Sequence, residues 1–386
     1  MYTSPIFHNV ISSTLLFSLG PEGPSVEIGA SIASKVADYY PIKGGKYRDL
    51  FIACGASAGV AAGFEAPIAA VFFALEVIQP LQRGGQESTF VSRGSITYVL
   101  LSSAVASLIT RTILSERLSF KVADYYLASP LVELPLYLGL GALAGALALT
   151  YKSSAAYFTS AFDGTAPGSQ LMQSFPPVLK PALGGLACGI VGLYFPQVLF
   201  FGYSTLDSIL ADTSALSISY LAELCAVKLY LTAFCAASGL VGGTFAPSLF
   251  LGATAGAAYH SIVAVGVASA AGNLVDLQMS LDVVPGAWGI LPQLQVAGAP
   301  AYAMVGAASV LAGLFNAPLT SSLLLFELTR DYDIILPLMA SAGLASLIAN
   351  QPVLPSLPPS QPEQVLDSST LLASYISSEL AGPQEP

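Results

Sequence analysis

The stretch GASAGVAAGFEAPIAAVFFALE, from Gly55 to Glu76, returns later in the chain as GAASVLAGLFNAPLTSSLLLFE, from Gly306 to Glu327. The two align without a gap and keep Phe64 with Phe315, Pro67 with Pro318 and Glu76 with Glu327. A second matched pair precedes them in the same order. GPEGPSVEIGA (Gly20 to Ala30) parallels GTFAPSLFLGA (Gly243 to Ala253), with Pro24 and Pro247, Ser25 and Ser248, and Gly29 and Gly252 in step. The offsets of the two pairs, 223 and 251, differ by about 28 residues, which we assign to extra sequence around Met279 to Val296 in the second half. Two halves with Gly/Pro-interrupted helix starts in corresponding places have the pattern of transporters whose substrate sits where broken helices meet near the bilayer midplane. The repeat by itself leaves the relative orientation of the halves open.

Composition identifies the solvent. Asp, Glu, Lys and Arg make up 9% of the 386 residues and hydrophobic residues 54%, whereas about 25% of an ordinary soluble domain is charged. Such a chain cannot present a water-facing surface all round. The charges also cluster: none lies between Lys180 and Asp207, between Lys228 and Asp276, or between Asp282 and Glu327. Each silent run accommodates an apolar span of about 20 residues.

Hydrophobic helices are predicted near residues 5–19, 24–37, 50–78, 94–112, 134–160, 181–198, 216–238, 246–268, 299–327 and 334–350. The 35 Gly and 26 Pro scattered among them require several to be broken, tilted or short. Freed backbone groups at membrane depth must then be satisfied by protein, water or a bound ion.

The net charge of -10 arises mainly in tails and loops and excludes nucleic acid as a partner class. Cys54, Cys188, Cys225 and Cys235 sit in apolar surroundings without metal-ligand spacing and read as buried structural thiols. His8 and His260 stand in unrelated contexts, so no nucleophile and base or metal set emerges and no enzyme is expected. His260 reads as interfacial or packed, and Trp288 with the many Tyr and Phe fits aromatic belts. The segment Pro352 to Pro386, rich in Pro, Ser and Gln, is expected to be a disordered tail.

In GPEGPS, Gly20, Pro21, Gly23 and Pro24 precede an apolar helix that starts near Ser25. The free N–H groups of such a start and the positive end of its dipole form an anion site. Gly243, Thr244, Phe245 and Ala246, ahead of Pro247, repeat the arrangement. Two helix starts can hold a dehydrated anion without a full positive charge, which would bind it too tightly to release it.

Glu22 inside the first turn has two readings. It can cap the helix, or it can be a tethered anion in the place a free anion would take, released when protonated. Its counterpart Phe245 is uncharged, so capping does not demand an acid here, and the gate reading is favoured. Glu76 and Glu327 end matched apolar runs; their symmetry favours a structural role, bonding backbone amides of neighbouring segments, over a functional one. Lys228, the lone basic residue of its helix, either lends positive potential to an anion path or snorkels to the interface.

GPEGPSVEIG, GFEAPIAAVFFALE, GGTFAPSLFLGA and FNAPLTSSLLLFELTRDYD together resemble the CLC family of chloride channels and proton-coupled chloride transporters, over roughly residues 10–350. GPEGP is similar to the family's GREGP or GKEGP motif, which implies Glu22 as gating glutamate and Gly23, Pro24 and Ser25 in the anion-binding turn. GGTFAP is similar to the family's GxFxP motif, which implies that Thr244, Phe245 and Ala246 line the central site through their backbone. The implied fold is all-α: a multi-pass membrane protein, an inverted repeat of broken and tilted helices with one pore per subunit. It would occupy residues 1–350, with halves of about 1–160 and 175–350, and be followed by the 351–386 tail. The implied partners are chloride or a similar anion, the bilayer and a second copy, in a homodimer meeting on the helices around 94–112 and 319–349. No cofactor is expected, and nucleotide-binding regulatory domains have no place in the tail.

Several departures shape the expectation. Pro21 replaces the basic residue that usually precedes the glutamate. The family's serine-bearing GSGIP motif and its late pore-lining tyrosine find no counterpart, so the domain is expected to lack its first helices. The internal proton-transfer glutamate of family antiporters aligns with Val77, an apolar residue that resembles the channel branch. The reading is therefore passive, gated movement of chloride or a similar anion. The alternatives are a proton-coupled antiporter of the same fold and a truncated, non-transporting subunit paired with a full-length relative. The membrane is left open, with a plastid or other endomembrane among the candidates.

Overall fold

A computed structural model describes residues 18–20, 22–39, 47–78, 93–114, 122–123, 130–211, 216–280 and 296–350. The first predicted helix at 5–19, His8, Pro21, Trp288 and the 351–386 tail lie outside the described residues, apart from the short approach at 18–20. Among the described residues the chain is helical without a strand. The elements are α1 (Glu22–Tyr39), α2 (Arg48–Phe64), α3 (Pro67–Phe73), continued by a π-turn over Ala74–Ile78, α4 (Arg93–Leu114) and α5 (Pro130–Phe162). They continue with α6 (Lys180–Tyr194), α7 (Tyr203–Leu210), α8 (Ile218–Ala237), α9 (Phe245–Ser280), α10 (Ala299–Phe315), α11 (Pro318–Thr329) and α12 (Ile335–Ala349). Helices α4, α5, α8 and α9 each contain a stretch long and apolar enough to cross a membrane.

The predicted single helices over 50–78 and 299–327 are each two, α2 with α3 and α10 with α11, broken at matching positions. Glu65 and Asn316 both take the left-handed conformation, with φ of 52° in each case. The next residues, Ala66 (φ -115°, ψ 77°) and Ala317 (φ -127°, ψ 70°), are also non-helical. The cause is the proline that follows, whose ring excludes the helical conformation from the residue before it yet suits the first position of a new helix. Apolar periodicity does not register this, because both sides of each break are apolar.

Each break leaves amides at a new helix start without carbonyl partners, and the opposite half supplies the acceptor. Glu327 accepts from the N–H groups of Ile68 (3.0 Å) and Ala69 (2.8 Å) on α3. Glu76 accepts from the N–H groups of Leu319 (3.1 Å) and Thr320 (2.7 Å) on α11, and from the Thr320 hydroxyl (2.7 Å). The acids thus cap each other's half, the structural role their symmetry suggested.

The two helix pairs that carry the repeat cross in the same manner. Gly29 of α1 lies against Gly55 of α2, and the equivalent Gly252 of α9 against Gly306 of α10, so closely that a Cβ at any of the four would run into the partner's backbone. Without water to drive helices together, such small-residue contacts supply the packing. Helix α10 is enclosed along nearly its whole length, with Pro300 through Leu314 buried.

The extra sequence of the second half enters this frame partly as helix. Instead of ending near residue 268, α9 runs to Ser280, so Met279 is helical and the extra loop is shorter than expected. Residues 281–295 lie outside the described residues.

Gly252→Val is expected to lower the thermal unfolding midpoint in detergent by the equivalent of about 1–3 kcal/mol or more, the usual cost of overpacking. Gly343→Ala, on α12 with nothing within 4 Å of the added methyl, should leave the midpoint unchanged or slightly raised.

Candidate functional site

The two halves meet at Gly20 and Gly243, which are equivalent residues of the repeat. Each donates its N–H to the other's carbonyl, at 2.7 Å in both directions, in an isolated antiparallel bridge. A reciprocal antiparallel pair between equivalent residues is a local two-fold axis, so the halves are inverted relative to one another at this point. From the pair the chain enters α1 at Glu22 on one side and α9 at Phe245 on the other. The approach is close: a Cβ on Gly23 would lie 2.7 Å from the α-carbon of Gly243. The first turns also match, Ser25 donating to the Glu22 carbonyl (2.7 Å) and Ser248 to that of Phe245 (2.5 Å).

The structure therefore brings Gly23, Pro24 and Ser25 together with Thr244, Phe245 and Ala246, at two helix starts in contact. Glu22, Pro24, Thr244, Phe245 and Ala246 are buried. Ser25 and Ser248 commit their hydroxyls to backbone carbonyls, and the Ser248 N–H donates to the Thr244 carbonyl at 3.0 Å; Pro24 has no N–H and contributes only the fixed φ of a helix start.

Symmetry is broken at the first residue of each helix. Phe245 packs its ring against Phe64, Phe73 and Phe315, with centroids 5.5, 5.7 and 4.5 Å away. Glu22, 4% exposed, instead lays its carboxylate between the helix starts. Oε1 accepts a hydrogen bond from the hydroxyl of Tyr203. Oε2 lies over Gly20, in space a Cβ would fill, with the Ala246 methyl beside it. The backbone amides of Glu22 and Ala246 lie close enough to act on the carboxylate electrostatically, but Oε2 has no hydrogen-bond partner among the described residues.

Tyr203 opens α7, an eight-residue helix absent from the predicted set. The available signal was the uncharged run from Lys180 to Asp207, which continues past the end of α6 and includes this tyrosine. Lys228 does not take the snorkelling role. It is fully buried; its Nζ donates to the carbonyls of Val198 and Phe200, both at 2.8 Å, and sits 5.4 Å from the Phe250 ring centroid. The turn between α6 and α7 leaves those carbonyls without helical partners, and the lysine satisfies them. Val77 is buried in the π-turn after α3. His260 packs on the Tyr302 ring at 5.3 Å. The four cysteines are free, three of them buried and Cys54 half-buried. Among the described residues no group of His, Cys, Asp and Glu could hold a metal ion.

Two inverted halves, each with a broken helix, whose helix starts converge on one buried carboxylate, define a multi-pass membrane protein of inverted-repeat transporter architecture. The family model described as voltage gated chloride channel matches residues 2–350, and the chain belongs to that family. It is 40% identical over 336 residues to the chloride channel protein CLC-e of Arabidopsis thaliana, a match covering 86% of this chain and 44% of that protein. It is 30% identical over 340 residues to the H(+)/Cl(-) exchange transporter ClcA of Vibrio parahaemolyticus, covering 87% of this chain and 64% of that one. This chain thus spans less than half the length of the plant relative. Among solved structures, a slow cyanobacterial Cl-/H+ antiporter superposes with a TM-score of 0.64 at 24% identity, over 96% of this chain and 74% of that one. At that identity the likeness concerns the fold.

Lys228→Met is expected to destabilise the fold by on the order of 2 kcal/mol or more, because a buried and a part-buried carbonyl lose a charged donor. Thermal unfolding in detergent measures it; an unchanged midpoint would show that the turn holds without the lysine.

Proposed function

We propose that this protein moves chloride or a similar small anion passively across a bilayer, with Glu22 as the gate. The observation that carries the reading is the Glu22 carboxylate, buried where the starts of α1 and α9 meet. N–H groups and dipoles of two helix starts favour negative charge at that point. The carboxylate occupies it as a tethered anion, and a free anion enters when the side chain leaves. Gly23, Pro24, Ser25, Thr244, Phe245 and Ala246 form the anion-binding turns, supplying amides and helix-start geometry without a fixed cation, which suits rapid release.

Val77 favours passive conduction, since an apolar side chain cannot relay a proton from the position where family antiporters carry an acid. The second reading, proton-coupled exchange, draws support from a relative named as an exchanger, ClcA. A homodimer fits the exposed apolar side chains of α4 (Leu101, Leu108, Ile113) and α12 (Leu336, Met339, Leu347).

Chloride efflux from proteoliposomes, recorded with external pH, tests both readings. Efflux that rises severalfold in Glu22→Gln and moves no protons is the expected result. Proton movement stoichiometric with chloride would replace the channel by an exchanger, and efflux indifferent to Glu22→Gln would remove Glu22 as the gate.

A further inference from the structure

We infer that Tyr203 is a positioning residue for Glu22, a latch whose hydroxyl holds the carboxylate between the two helix starts and so sets how strongly it competes with a free anion. The inference rests on the reading of Glu22 as a tethered anion and goes beyond it by naming what restrains the tether.

A competing side chain must be held as well as charged. Of the two carboxylate oxygens, Oε1 accepts from Tyr203, while Oε2 faces Gly20 and the Ala246 methyl without a hydrogen-bond partner among the described residues. Among the described residues the Tyr203 hydroxyl is thus the side-chain group that hydrogen-bonds the carboxylate, beside the backbone amides of Glu22 and Ala246. A hydrogen bond to an ionised acceptor is among the stronger kinds, and it breaks when Glu22 swings out.

The latch comes from an element outside both helix starts and is firmly placed. Phe200 (φ 54°) and Gly202 (φ 77°) take left-handed conformations just before α7. Those backbone reversals turn the chain from the 3-10 turn Pro196–Val198 into Tyr203. Lys228 clamps the same turn through the Val198 and Phe200 carbonyls. A cation buried in α8 therefore has a use that its helix alone would not reveal: it fixes the segment that delivers the hydroxyl.

The test is chloride affinity, measured by calorimetry on the purified full chain in detergent, for wild type, Tyr203→Phe, Glu22→Gln and the double variant. Each is first checked for an unchanged unfolding midpoint without chloride. Tyr203→Phe keeps the ring and removes the donor. It is expected to tighten chloride binding by about tenfold, the loss of one hydrogen bond to a charged group. In the Glu22→Gln background the same change should have less than about a twofold effect, because the carboxylate it restrains is gone.

If Glu22→Gln tightens chloride binding and Tyr203→Phe does not, or if the two effects multiply independently, the latch is overturned and the tethered-anion reading stands. If Glu22→Gln leaves chloride affinity unchanged, the tethered-anion reading fails and the latch fails with it.

Discussion

The pair of hydrogen bonds between Gly20 and Gly243 resolves a problem that a bilayer imposes on any protein with broken helices. A helix that starts at membrane depth exposes N–H groups to surroundings without water, and each unmet group is costly. Here two such starts are placed head to head, and the residues that approach them bond each other's backbone at 2.7 Å in both directions. Because the residues are equivalent in the repeat, the contact forms a two-fold axis, and the rest of the architecture is arranged around it.

The same reciprocity recurs away from the axis. Glu327 of the second half closes the start of α3, and Glu76 of the first half closes the start of α11, each accepting from two backbone amides. The glycine crossings of α1 on α2 and of α9 on α10 are likewise duplicates. Symmetry of this kind builds a stable frame economically, since one solution to the broken-helix problem serves twice. It cannot by itself make a site that opens and closes.

The candidate site lies where the duplication lapses. At equivalent positions, Phe245 sinks into an aromatic cluster with Phe64, Phe73 and Phe315, while Glu22 turns its carboxylate into the gap between the helix starts and meets Tyr203. One half contributes an apolar wall and the other an acidic side chain. The hydrogen-bond partner of that side chain, Tyr203, opens α7 after the turn held by Lys228 and lies outside both matched segments of the repeat.

The repeat, the membrane setting, the two matched helix starts and the difference between Glu22 and Phe245 were all legible in the amino-acid order, because each depends on residue type at a fixed local spacing. The helix breaks after Phe64 and Phe315 were not, since hydrophobicity continues across them and only the proline's steric demand on the preceding residue divides the run. Lys228 was legible as the lone basic residue of an apolar helix, but its partners are carbonyls roughly 30 residues earlier, which no helical spacing can indicate. Tyr203 was hidden for the same reason: it lies 181 positions from Glu22. The sequence thus determined which chemical groups each half carries. The tertiary structure decided which of them meet, because inversion about the Gly20 and Gly243 pair and the clamped turn before α7 are contacts between distant segments.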